Sequence, residues 1–319
     1  MKKSYTVDST CNDMRIDRWI RLKVGKIPQG LIEKHLRFGK IKINKKKIKS
    51  SIKVKTNDII NFFNFDFKET IVQKKIKFEP SKEIIKSNED QIIDNNENFI
   101  VLNKSSGISV QGGTKSKKNL VDIFAKSEIF QGTKPYSVHR LDKDTSGVLL
   151  IAKNEQFRNY FIDQMQHRNV TKEYTAIVVG STLGSFSIEE PIGRDKYNRT
   201  KMMIRPDGKE ALTFIRSSER LGNYSILDIG IETGRTHQIR VHLSSKKLPI
   251  IGDSTYNPGR IIGKDSSTEL ISIIRSFSRQ ALHARFLSFT CPKTENEISF
   301  NIPVPTDMKN LILDIKKHS

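Results

Sequence analysis

Apolar residues fall into short, regularly phased groups along most of the chain. Ile16, Trp19 and Ile20 stand at i, i+3 and i+4, and Leu31, Ile32 and Leu36, the last two at i, i+4, continue the helical spacing before Gly39. Two short amphipathic helices are predicted, with the glycine ending the second. Beyond it, Ile41 and Ile43 and then Ile48, Ile52 and Val54 are interleaved with lysines, which predicts short strands apolar on one side and basic on the other. The pattern fades over residues 64–95, a polar mixture with little periodicity that reads as a linker. It resumes with a strand at 99–102, a turn at Ser105-Ser106-Gly107 and a glycine-bearing stretch, Gln111-Gly112-Gly113. A helix is expected over 121–130, a strand over 148–152, a helix over 155–167 and strands over 172–179 and 225–231. After the turn at Gly234 the spacing of Ile239 and Leu243 becomes helical, with Thr233 or Thr236 as the N-cap. Residues 254–279 read as irregular. Strands return at 281–284, 286–289 and 298–300, and a helix closes the chain over 307–317. Strands this close together, with few helices between them, predict an α+β fold: a mainly antiparallel mixed sheet flanked by helices, not a doubly wound one.

The length, 319 residues, is more than one core usually fills, and the break in periodicity divides it into a small domain at 1–65, a linker at 66–92 and a larger domain at 93–319. Charge sharpens that division. Between Arg15 and Lys55 there are fifteen Lys or Arg and two acids, so this segment carries +13 of the formal +21. General enrichment in lysine explains a high total but not this clustering, and a compact cationic module calls for a polyanionic partner. Arg15, Arg18, Lys34, Arg37, Lys45 and Lys46 are its expected phosphate contacts. The two cysteines, Cys11 and Cys291, form neither a disulfide framework nor a zinc motif, which fits a reducing cytosol. The first residues lack the apolar run of a signal peptide, and no stretch approaches a membrane span, so a cytoplasmic protein is expected. There is no GxGxxG or Walker loop, which counts against nucleotide-cofactor folds.

Candidate chemistry gathers in three segments. His139-Arg140-Leu141-Asp142-Lys143-Asp144-Thr145-Ser146-Gly147 runs straight into Val148–Ala152, a polar loop against a buried strand. Taken alone it reads more readily as a turn whose Asp and Thr side chains cap their own backbone. Tyr174 follows Lys172 at the start of a strand, and Arg235 precedes His237 in a glycine turn. A carboxylate, an aromatic ring and a guanidinium brought together can supply a nucleophile, a stacking surface and a counter-charge. Asp144 beside Asp142 suggests a magnesium or acid/base dyad, but the flanking sequence has no further carboxylate cluster. His237 and His242 are five apart, not the i, i+4 of a helical zinc pair.

Together these segments resemble the RluA-type pseudouridine synthases: His139–Gly147 is similar to their HRLDxxTSG motif, Lys172–Ala176 to a KxYxA strand and Thr233–Leu243 to a TGRTHQIRVHL segment. Asn103-Lys104 through Gln111-Gly112-Gly113, Pro249–Tyr256 and Gln280–Ala284 also look like family blocks, and residues 15–60 are similar to an S4-like RNA-binding domain. The arrangement most resembles the RluC branch, which acts on large-subunit ribosomal RNA. Ser105, Asn257 and Cys291 depart from the usual pattern, outside the proposed catalytic set. The resemblance implies an isomerase needing no cofactor and no metal, a monomer with ribosomal RNA as its partner. It implies Asp142 as the catalytic carboxylate paired with Arg235, Tyr174 stacked on a flipped uracil, and Arg140 filling the vacated space or holding a phosphate, with Lys172 as a further RNA contact. Whether Asp142 forms a sugar adduct or abstracts a ribose proton stays open.

Overall fold

Both helices expected near the N-terminus are present in the computed structural model, as α1 (Ile16–Lys23) and α2 (Gln29–Arg37). The structure describes residues 2–25, 27–63, 78–112, 118–292 and 294–318. The chain divides into two compact units, Met1–Ile76 and Lys77–Ser319. In the first, β1 (Lys2–Thr6) and β2 (Ile41–Ile43) lie antiparallel on either side of β4 (Ile59–Phe63), and the short β3 (Lys46–Lys47) pairs with β2. Trp19, Ile16, Ile20, Ile32, Leu36, Ile41 and Phe62 fill its core. Each such side chain contributes about 1.5–3 kcal/mol by leaving water. The strand expected through Ile48–Val54 does not form. Val54 is buried, but its backbone bonds run to the loop before α1, accepting from Asp13 N and donating to Met14 O, each at 2.8 Å.

The second unit is built on a ten-stranded sheet, and the expected α+β class with a mainly antiparallel sheet is what forms. Its centre is β8 (Ser146–Ala152), buried at every position. Leu149 and Ile151 enter one core, while Val148, Leu150 and Ala152 enter another on the opposite face. A strand covered on both sides needs an unbroken apolar run, which is why this segment does not alternate. Antiparallel to β8 lie β6 (Phe99–Lys104), carrying β5 (Ile92–Asn95), and the short β7 (Tyr136–Ser137). On its other side β8 meets β15 (Leu282–Thr290) in the sheet's parallel pairing, His283 opposite Ser146 and Ala284 opposite Gly147. From β15 the sheet continues through β9 (Thr171–Val179), β14 (Tyr224–Ile231), β13 (Leu212–Leu221) and β10 (Phe186–Glu189), while β16 (Glu297–Asn301) pairs with the far end of β15. A separate two-stranded hairpin joins β11 (Ile192–Arg194) to β12 (Met202–Ile204).

Helices cover both faces. On one, α5 (Glu155–Gln166) lays Phe157 and Phe161 against the sheet. On the other lie α4 (Leu120–Phe124), α6 (Gln238–Ser245), α7 (Thr268–Ser276) and α8 (Thr306–His318), anchored by residues such as Phe124, Leu243, Leu270 and Leu311. Among the described residues no helix is long and apolar enough to cross a membrane.

Two expectations need correction. The linker at 66–92 is partly structured: α3 (Lys82–Glu89), capped by Ser81 Oγ, and β5 belong to the second unit, with Ile84, Ile85 and Ile92 packed on its core. Residues 66–77 of that linker, like Gly113, lie outside the described residues. The stretch read as irregular contains α7, whose Ser267 cap and buried Leu270 and Ile274 at i, i+4 are short signals diluted by the polar residues around them.

Candidate functional site

The loop between β7 and β8 is clamped from several sides. Lys104, fully buried on β6, donates to Ser105 O at 2.9 Å, Lys143 O at 3.0 Å and Thr145 O at 2.8 Å. Those three carbonyls match the three N–H bonds of an ammonium. Burial pulls the Lys104 pKa down to about 7, with the charges of Asp144 and Asp142 working against that fall. Gln280 Nε2 donates to Thr145 Oγ1, and Ser146 Oγ pairs with His283 Nδ1. His139 Nε2 accepts from Leu150 N at 2.8 Å, and burial pushes its pKa down to about 3. This histidine is a neutral strut. Gly147 supplies the remaining constraint: at φ +116°, a Cβ there would lie 2.0 Å from Ala284 O across the parallel pairing.

The clamp presents Asp142 to a cleft lined by Arg140, Leu141, Tyr174, Arg235, His237, Arg240 and Leu282, among others. Arg240 Nη1 donates to Asp142 Oδ2 at 2.8 Å, while its Nε and Nη2 hold Asp253 at 2.7 and 2.9 Å. One buried guanidinium therefore bridges two carboxylates. Its Cζ also lies over the Tyr256 ring, 5.1 Å from the centroid. Burial disfavours the Arg240 charge, but Asp253 and Asp142 more than offset this and raise its pKa. Burial likewise pushes the Asp253 carboxyl up, yet the Arg240 hydrogen bond and charge, with the N–H groups of Tyr256 and Thr255, leave it below the usual range. His237 Nε2 lies 3.8 Å from Asp142 Oδ2, and its Nδ1 meets the Tyr256 hydroxyl at 2.8 Å. Burial lowers the His237 pKa.

The expected pairing of Asp142 with Arg235 is corrected here, because Arg240 makes it. Arg235 stands in the turn before α6 and lines the cleft, but its Nε donates to Glu210 O at 2.8 Å. The expected caps are corrected too. His237, at φ +57°, occupies the N-cap position, and the turn is held by Gln238, whose Oε1 accepts from Thr233 Oγ1 and Arg235 N. A signal for Arg240 was present in the sequence. It sits between Ile239, Val241 and Leu243, and a charge inside an otherwise buried helix must find a partner.

Tyr174 on β9 is 8% exposed and lines the same cleft, its pKa raised by burial first and by the Asp142 charge second. Lys172, two residues earlier, is buried and 3.4 Å from Glu232 O. Burial pulls its pKa down to about 8, with Glu232 opposing. Arg140 is exposed at the cleft. In the N-terminal unit Arg18, Lys34, Arg37, Lys45 and Lys46 are exposed. Arg15 is exposed as well, but holds Asp17 through two hydrogen bonds.

The combination of a held carboxylate, a buried tyrosine and a clamped loop agrees with what comparison finds. Residues 98–245 match the family of RNA pseudouridylate synthases. The chain belongs to that family, and within it to the RluA type, so it is an isomerase acting on RNA. It is 38% identical over 229 residues, 71% of each chain, to the ribosomal large subunit pseudouridine synthase D of Vibrio cholerae. To the uncharacterized RNA pseudouridine synthase YlyB of Bacillus subtilis it is 30% identical over 95% of both chains, a match that spans both units. Among solved structures, human RNA pseudouridylate synthase domain containing 4 shares the fold, with a TM-score of 0.60 at 23% identity over 73% of this chain and 96% of that one.

Proposed function

We propose that this protein converts uridines of large-subunit ribosomal RNA to pseudouridine, as a cytoplasmic monomer needing neither cofactor nor metal, with Asp142 as the reacting carboxylate. The observation that carries the reading is Asp142 itself, presented to the cleft by the loop clamp and paired with Arg240 beside Tyr174. A uridine must leave its stack to reach such a cleft, at a cost of a few kcal/mol. Tyr174 stacks on the extruded base, and Arg140 at the cleft fills the vacated space or holds a phosphate. The bond from the anomeric carbon to N1 breaks, the retained uracil turns, and the anomeric carbon bonds to C5. The proton lost from C5 is balanced by one gained at N1, so no atoms enter or leave.

Arg235 lines the cleft without touching Asp142 and is assigned to substrate contact, as is Lys172, which lines an adjoining cavity with Arg140 and Tyr174. The basic N-terminal unit, read as S4-like, supplies phosphate contacts through Arg15, Arg18, Lys34, Arg37, Lys45 and Lys46. The motifs resemble the RluC branch, while relatives such as the Vibrio cholerae protein carry the name synthase D. The sites modified decide the branch. A pseudouridine map of ribosomal RNA with and without the protein should show specific uridines converted only in its presence. Asp142→Asn should lower their conversion by at least about a thousandfold, with RNA affinity unchanged within a few-fold. Undiminished conversion by that variant removes Asp142 from the reaction.

A further inference from the structure

The hairpin of β11 and β12 carries features that the catalytic reading does not use. Between Arg194 and Arg205 there are five Arg or Lys and one acid, and Tyr197 at the turn is 98% exposed. The turn is nevertheless well built. Asp195 Oδ1 accepts from Tyr197 N at 2.7 Å and Asn198 N at 2.9 Å, and Asn198 Oδ1 accepts from Thr200 N and Thr200 Oγ1. Arg194 Nη1 donates to Arg199 O at 2.7 Å, and Lys201 N to Asn198 O at 2.9 Å. The single acid is thus spent on the backbone. The side chains of Lys196, Tyr197, Arg199 and Lys201 take no part in these bonds.

The hairpin is tied to the cleft at the end of its ladder next to the turn. Met202 N donates to the Tyr256 hydroxyl at 2.9 Å, that hydroxyl meets His237 Nδ1, and His237 faces Asp142. Ile192, Met202 and Ile204 pack with Val241 of α6. Because Met202 pairs with Arg194 at the turn end of the two strands, the turn at 195–201 starts directly from this anchor, a placement suited to nucleotides flanking the extruded one.

We propose that this turn is an RNA clamp, in which Tyr197 stacks on an unpaired base beside the target uridine while Lys196, Arg199 and Lys201 hold the adjoining phosphates. The inference rests on RNA being the substrate. Single-stranded RNA is commonly held by this pairing of cations with an exposed aromatic ring.

Tyr197→Trp provides a direct test, because Trp19, the chain's own tryptophan, is buried in the N-terminal unit. Ribosomal RNA transcripts should quench the new fluorophore. Tyr197→Ala should raise KM or Kd by roughly 5- to 100-fold with kcat within about twofold. Replacing Lys196, Arg199 and Lys201 together by alanine should reduce the slope of log K against log salt by about 2. No quenching, with affinity and salt slope unchanged in the variants, overturns the clamp. So does a Tyr197→Trp response to phosphatidylserine vesicles but not to RNA. Fluorescence and salt slope do not depend on turnover, so the clamp and the assigned reaction stand or fall separately.

Discussion

At the residue scale the site depends on how charge is stored out of water. Arg240 is buried, and two carboxylates share its three bonded nitrogens. Removing one partner of a buried pair leaves the other charge uncompensated, which costs about 3–5 kcal/mol. Arg240→Gln should therefore lower the unfolding free energy obtained from urea melts by an amount in that range, while Arg235→Gln should stay within about 0.5 kcal/mol of the parent. The pH dependence has a definite sign. Asp253 has a depressed pKa when folded, so its contribution is complete above the unfolded value of about 3.9 and is lost as the pH falls through the folded value. The gap in stability between the parent and Arg240→Gln should accordingly narrow in acid melts. Equal gaps at neutral and acid pH would show that Asp253 does not depend on Arg240 for its charge.

At the scale of elements, the decisive contact is the parallel pairing of β8 with β15. It brings the C-terminal end of the Asp142 loop against a strand far away in sequence, and Gly147 is the residue that lets the backbones approach so closely. Gly132 provides the comparison, since its φ is also positive, at +80°, but a Cβ there meets nothing within 4 Å. Gly132→Ala should cost about 1–3 kcal/mol, from backbone strain alone. Gly147→Ala adds a collision with Ala284 O and should cost roughly 1–3 kcal/mol more. Its kcat should also fall by on the order of a hundredfold, because displacing the loop moves Asp142. Comparable melts and turnover for the two variants would show that the close approach does not hold the site.

At the scale of the molecule, positive charge is divided unequally between two units that each have their own core. Replacing Arg18, Lys34, Arg37, Lys45 and Lys46 by glutamine leaves that N-terminal core untouched, since all five are exposed. Each phosphate contact removed should flatten the salt slope of RNA binding by about 0.7–0.9. A loss of up to about 4 is expected if all five reach the backbone, with kcat retained at saturating RNA. An unchanged slope would take the unit out of RNA binding.

How much of this was legible beforehand varies element by element. The helices on Trp19 and Leu36, the strand at 148–152 and the long helix with Phe157 and Phe161 follow from periodicity, because each must bury one face or both. Strands such as β13, with its run of polar residues, and α3, with its adjacent isoleucines, carry little periodic signal and gain their form from neighbours supplied by the rest of the chain. The site divides in the same way. Composition and motif placed Asp142, Tyr174 and an arginine-bearing turn in one family of segments, since residue types are written locally. Which guanidinium meets Asp142 is a question of direction in space. The answer came from the turn at His237 and the phase of α6, which aim Arg240 at both carboxylates and leave Arg235 on the carbonyl of Glu210.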